Sequence, residues 1–224
     1  MTGFPGPPNF RAYAGALLLW LPGSSALAAR VELLLQSADD ADLADGVLVA
    51  YPLESAVEQP ARSGSMAQLG QRFVPHLLVV QRGADVDFPN RDRTRHHVYS
   101  FSEARSFELK LYLGEPAAPV RFDIPGIVTL GCNIHDWMLG YIVVVDTPYF
   151  TQSGPDGHLA LDLPAGRYRL WAWHPRMPLA ASALDETVTL EATQTWSRTL
   201  TPALGPAPDL EAPEPLGLPA AGAL

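Results

Sequence analysis

A chain of 224 residues with 47% hydrophobic and only 17% charged residues is too apolar to be disordered throughout, and long enough to bury a sizeable core in one domain or two small ones. Its formal charge of −9 disfavours nucleic acid and anionic lipid as partners and favours a basic one. Eighteen glycines and 22 prolines predict many turns and few long helices.

The first segment, MTGFPGPPNFRAYAGALLLWLPGSSALAA, has one positive residue, Arg11, then an apolar run from Ala12 to Leu21, then small residues. That order is the anatomy of a secretory signal peptide, and Ala26, Leu27 and Ala28 fit the small-x-small cleavage rule. Residues 1–28 are therefore expected to be removed on export, with the mature chain starting near Ala29. The apolar run is too short to span a bilayer comfortably, so the mature chain is expected to have no membrane span. Loss of Arg11 leaves 14 basic against 24 acidic residues, a formal −10. No cysteine near the cleavage site offers a lipid anchor. Cys132 is the only cysteine, so an internal disulfide is excluded. An exported chain with one thiol pairs it with another chain or uses it, and a metal-bound thiolate is protected from oxidation.

Short segments rich in Val, Ile, Leu, Phe and Tyr then recur about every ten residues: VELLLQ, GVLVAYPL, HLLVVQRG, ADVDFPN, HHVYSFS, FELKLYLG, GIVTLGC, GYIVVVD, GHLALDL, GRYRLWAWH and ETVTLEA. Gly, Pro, Asn or Asp separate them, which predicts an all-β antiparallel sandwich. Glu54 to Gly70 is polar and small and reads as a connection, irregular or with a short helix. Residues 202–224, a Pro, Ala and Leu mixture with three acids and no base, read as a disordered tail. No internal repeat has a fixed period.

The chemistry concentrates in CNIHDWM, residues 132–138, between the apolar strands GIVTLG and GYIVVV. Copper that shuttles electrons needs a site acceptable to both oxidation states, and two imidazoles, a thiolate and a weak axial thioether supply it. Cys132, His135 and Met138 provide three of the four from one tight loop. A hairpin between core strands is a rigid mount, which keeps rearrangement small when an electron moves. The second imidazole must come from elsewhere. His96 and His97 stand on a predicted strand, where neighbours point to opposite faces, so only one can reach the metal. Period alone does not choose, since Val98 and Tyr99 could each face a core.

The series FVPHLLVVQRGADVDFPNRD, HHV and PGIVTLGCNIHDWMLGYIVVVD resembles a cupredoxin, the copper sandwich fold of plastocyanin and amicyanin. It covers residues 71–147, about a third of the chain. The Cys, His and Met spacing is that of amicyanin, whereas plastocyanin has a longer gap before its Met. The resemblance implies a Greek-key sandwich, copper as cofactor, and His96, Cys132, His135 and Met138 as ligands, with His97 at the family's Asn position. HHVYSFS, LGCNIHDWM, VVDTPYF and WHPR resemble, more narrowly, periplasmic proteins labelled methylamine utilisation or plastocyanin-like. Asp136 and Trp137 replace the Pro and Phe that flank this His in amicyanin, and a carboxylate beside His135 is expected to orient or screen its imidazole.

SADDADLADGVLVAYPL and GPDGHLALDLPAGRYRLWAWHP resemble the two halves of a carboxypeptidase regulatory-like, transthyretin-type β-sandwich. The expected organisation is a first part with a linker over 29–70, the cupredoxin domain over 71–147 and a second part over 148–201, so that one sandwich is inserted in or joined to the other. Trp171 and Trp173 share a strand face with His174 at its end, and are expected to pack between the two sandwiches rather than form a docking patch. His76 and His158 read as ordinary strand and turn residues. Arg91, Arg93 and Arg95 form a basic stripe before His96, a solvated strand edge or a docking point for an acidic partner.

The function expected is a periplasmic blue-copper protein carrying one electron to or from a redox protein such as a dehydrogenase, cytochrome or oxidase. The exposed edge of His135 would be its electron port. Such a centre makes no bond to substrate, so the chain is not expected to be an enzyme. The alternatives are a copper carrier or storage protein with the same ligands, and a metal-free envelope adhesion or assembly module. A Cys132–His135 nucleophile and base pair is the weakest reading, with no third group to orient the base and no oxyanion donors evident.

Overall fold

The computed structural model describes residues 28–54, 57, 59–116 and 118–207. The expected leader, apart from Ala28, and the expected tail from residue 208 onward lie outside the described residues. Among the described residues there is no helix, and so none long and apolar enough to cross a membrane. The expectation of an all-β chain is met.

Strands β1 (Ala28–Leu35) and β2 (Val47–Pro52) come first. Five short ones follow: β3 (Gly64–Ser65), β4 (Ala67–Gln68), β5 (Phe73–Val74), β6 (Leu77–Gln81) and β7 (Ala84–Asp87). Next are β8 (His96–Ser102), β9 (Arg105–Tyr112), β10 (Val120–Phe122), β11 (Gly126–Cys132) and β12 (His135–Val145). The last are β13 (Phe150–Gln152), β14 (His158–Pro164), β15 (Gly166–Trp173), β16 (Leu184–Leu190) and β17 (Thr195–Leu200).

Four sheets stack, in the orders β14-β1-β17, then β13-β2-β15-β16, then β6-β12-β11-β8-β9, then β10-β7-β3, and a separate β4-β5 hairpin joins them. Three cores fill the spaces between successive sheets, and side-chain alternation explains each. On β1, Val31, Leu33 and Leu35 point inward and meet Leu48 and Ala50 of β2, while Arg30 and Glu32 face solvent. Val47 and Val49 on the opposite face of β2 enter a second core with Leu77, Tyr141, Val143, Val145 and Trp173. Ile142 and Val144, on the other face of β12, join Val86, Phe88, Val98, Phe122, Val128 and Leu130 in the third.

Strands β2 and β12 are thus buried on both faces, which is why they read as unbroken apolar runs, VLVAYP and GYIVVV, rather than as alternating ones. Each fully buried Val, Leu or Ile contributes about 1.5–3 kcal/mol. Trp173 is completely buried and meets Tyr141 edge-on at 5.5 Å, so it packs between the sheet of β2 and that of β12. Met66, in the stretch read as a connection, is buried in the third core. Residue Leu204, at the start of the expected tail, packs on the first two cores, and the Gly205 carbonyl accepts from the Arg176 guanidinium.

Candidate metal centre

Cys132 ends β11 and His135 begins β12, with only Asn133 and Ile134 turning the chain between them. The pairing of β11 with β12 shifts register between Gly131 and Cys132, so Cys132 comes to lie opposite His135. The Asn133 amide donates to the His97 carbonyl at 3.0 Å, which ties this loop to the start of β8. On β8 the alternation places His96, Val98 and Ser100 inward, and His97, Tyr99 and Phe101 outward.

His96, Cys132 and His135 converge. Cys132 Sγ lies 3.7 Å from His96 Nδ1 and 3.7 Å from His135 Nδ1, and the two nitrogens are 3.2 Å apart. A point equidistant from these three atoms lies about 2.1 Å from each, which matches, to within about 0.2 Å, the bond lengths of a first-row transition ion to nitrogen and thiolate sulfur. This donor set, two imidazoles and a thiolate, fits copper. All three residues are buried, His96 completely and His135 least so. Met138 is buried on β12 in the same core as Cys132. His97 does not reach the triangle: its Nε2 pairs with Glu108 at 2.7 Å on the outer side of β8.

Neighbouring groups act on both rings, through the charge of His135 and the placement of His96. Burial and the neighbouring His96 push the His135 ring below its ordinary value, which favours the unprotonated form that can ligate. Trp137 lies against His135 with centroids 5.1 Å apart. Asp92 Oδ2 is 2.8 Å from His96 Nε2. Burial alone would raise the Asp92 carboxyl, but bonds from the Gln71 amide, His96 and the Gly70 amide outweigh it and hold the group below the usual carboxylate range. The Asp92 carboxylate thus stands across the His96 ring from Nδ1, the nitrogen that faces Cys132.

Two sequence expectations change here. Asp136, next to His135 in the chain, is exposed and lines a groove of about 640 Å³ with Tyr99, Phe101 and Leu179. Alternation along β12 turns it away from the imidazole, and the carboxylate found on an imidazole of the triangle is Asp92. His76, read as an ordinary residue, bonds Asp45 at 3.3 Å through Nδ1, while its Nε2 and the Trp137 Nε1 are buried without a protein partner beside a cavity of about 150 Å³ that Met138 also lines. Of the arginine stripe, all three members are exposed and Arg91 pairs with Glu115 at 3.0 Å.

No family model matches the chain, and no curated protein sequence does. Solved structures do match over part of it. A copper-containing nitrite reductase from Thermus scotoductus SA-01 is 22% identical over 42% of this chain with a TM-score of 0.35, and the match spans only 25% of that enzyme. A reduced amicyanin mutant is 22% identical over 43% of this chain and 98% of its own, with a TM-score of 0.33. A pseudoazurin from Methylobacterium extorquens AM1 is 22% identical over 38% of this chain and 76% of its own, with a TM-score of 0.32. The chain is all-β, and cupredoxins stand among its structural neighbours.

Proposed function

We propose that this protein binds one copper ion through His96, Cys132 and His135, with Met138 as a weak axial donor, and carries single electrons to or from a redox protein partner in the periplasm. The observation that carries this reading is the buried triangle of two imidazole nitrogens and one thiol sulfur, spaced as a single first-row ion requires. Bound copper would supply a one-electron couple. The protein's part is to hold the donors still: Cys132 and His135 are fixed by the hairpin, and His96 by the sheet and by Asp92. Burial excludes water that would otherwise add ligands when the charge changes. His135, the least buried of the three, is the edge through which a partner would exchange the electron.

The reading includes export, with residues 1–28 as leader, and an inserted organisation in which residues 71–147 form the copper unit between two parts of a regulatory-like sandwich, 29–70 and 148–201. Its support is the chain order of the sheets: β1 and β2 precede the site strands, and they pair with β13, β14, β15 and β17, which follow them.

Titration of the purified mature chain with Cu(II) tests the reading. One equivalent is expected to bind and give an intense visible thiolate-to-copper band, which Cys132→Ser abolishes. Reversible one-electron cycling without loss of metal is expected. Failure to cycle reversibly with the metal retained would indicate a copper carrier instead, and a chain that ignores copper would leave a metal-free binding module.

A further inference from the structure

The loop before β8 turns a carboxylate onto the far side of the His96 ring. Asp92 Oδ2 meets Nε2 at 2.8 Å, across the imidazole from the Nδ1 that faces Cys132. This is no loose surface pair, because the His96 side chain is fully buried and that of Asp92 is 12% exposed. The Gly70 amide donates to one carboxylate oxygen of Asp92 at 2.7 Å, and the Gln71 amide to the other at 2.9 Å. Gly70 and Gln71 both have positive φ, 62° and 56°, so two successive N–H groups converge in a turn that cradles an anion. The Asp92 amide donates to Asn90 Oδ1 at 2.9 Å, and Asn90 Nδ2 donates in turn to the carbonyls of Thr94 and Tyr112.

The β4-β5 turn, the loop before β8 and the end of β9 therefore hold one carboxylate in one place. Two effects follow on His96. An acceptor fixed at Nε2 selects the tautomer whose lone pair is on Nδ1, and a ligand imidazole so anchored is more basic and less free to rotate. A fixed negative charge one ring away from the metal also favours the metal's higher charge state.

We propose that Asp92 is a positioning residue of the copper centre, which locks the His96 tautomer and biases the centre toward Cu(II) over Cu(I). It rests on the copper reading above for its second half only, since the tautomer is a property of the metal-free chain.

The test has two arms. In metal-free protein, nitrogen-15 NMR of the imidazoles at neutral pH is expected to show His96 protonated on Nε2 in the wild type, and a mixture of tautomers in Asp92→Ala. In copper-loaded protein, Asp92→Asn keeps an acceptor but removes the charge. Its Cu(II)-to-Cu(I) affinity ratio is expected to fall at least tenfold, which raises the reduction potential by about 59 mV. A wild-type His96 protonated on Nδ1 would overturn the proposal even if both variants failed to fold. So would an Asp92→Asn protein that binds copper with an unchanged potential. A wild type that binds no copper defeats the copper reading itself, and the first arm then still decides whether Asp92 sets the tautomer.

Discussion

His96 and His97 are neighbours that do opposite work, and the two-residue period of a strand is the reason. One ring is sealed inside against Asp92 and the other lies against Glu108 at the surface. His97→Ala is therefore expected to keep one-equivalent copper binding and the thiolate band, and to cost no more than about 1 kcal/mol in urea unfolding, as for a surface ion pair. His96→Ala is expected to lose the band. The reverse pattern in the copper titration would show that the two rings had been assigned the wrong way round. Much of this site is legible in the sequence because CNIHDWM is local: a two-residue turn leaves Cys132 and His135 nowhere to go but together. Asp92 is not legible. In PNRDRTR it reads as one polar turn residue among several, and its role depends on the amides of Gly70 and Gln71, over twenty residues earlier. Asp136 draws the eye instead because sequence reading weighs adjacency, whereas the strand turns adjacent side chains apart.

Strand β5 contributes only Phe73 and Val74 to the fold, yet it lies directly against β12. Gly140 makes that approach possible. A Cβ built there would stand 2.9 Å from Cβ of Phe73 and 3.0 Å from its ring, and the first of these atoms cannot move without the backbone. Gly140→Ala is expected to destabilise by about 1–3 kcal/mol, the usual cost of overpacking. It is also expected to weaken copper binding, because β5 follows directly on the Gly70–Gln71 turn that grips Asp92. Urea unfolding and copper titration of the variant measure the two effects, and wild-type values in both would refute the close approach. The sequence announces β2 and β12 as strands through their apolar runs. It does not announce that each is sandwiched between two cores, since a run of valines is satisfied by any arrangement that covers both faces. The stacking of four sheets is a property of which strands pair, and that depends on contacts far apart in the chain.

At the scale of the whole molecule, a polar seam crosses between the sheet of β2 and the sheet of β12. Asp45 accepts from Gln152 and meets His76 at 3.3 Å, and His174 donates from Nε2 to the Ala44 carbonyl at 2.9 Å. His174 Nδ1 is also occupied, accepting from the Arg176 amide at 3.1 Å. Both ring nitrogens are thus satisfied only in the neutral tautomer, and a proton on Nδ1 would remove the acceptor for Arg176. Burial, with the nearby Arg176 charge, lowers the His174 value despite the opposing pull of the Ala44 bond. The unfolded chain therefore takes up this proton more readily than the folded one. Stability is full above the unfolded histidine value, about 6.5, and declines as pH falls below it toward the depressed folded value. His135 shifts in the same direction, so the contribution of His174 must be read as a difference. His174→Gln keeps a donor for Ala44 but cannot titrate. Metal-free wild type is expected to lose more stability between pH 7 and pH 5 than this variant does, as read from urea midpoints. Asp45 does not enter that window: the bond from His76 holds its carboxyl below the ordinary value, so its contribution is lost only as pH falls below about 3.9. Parallel stability curves for the two proteins between pH 7 and pH 5 would mean that the seam tolerates a charged ring, and that burial at His174 does not couple the two sheets to pH.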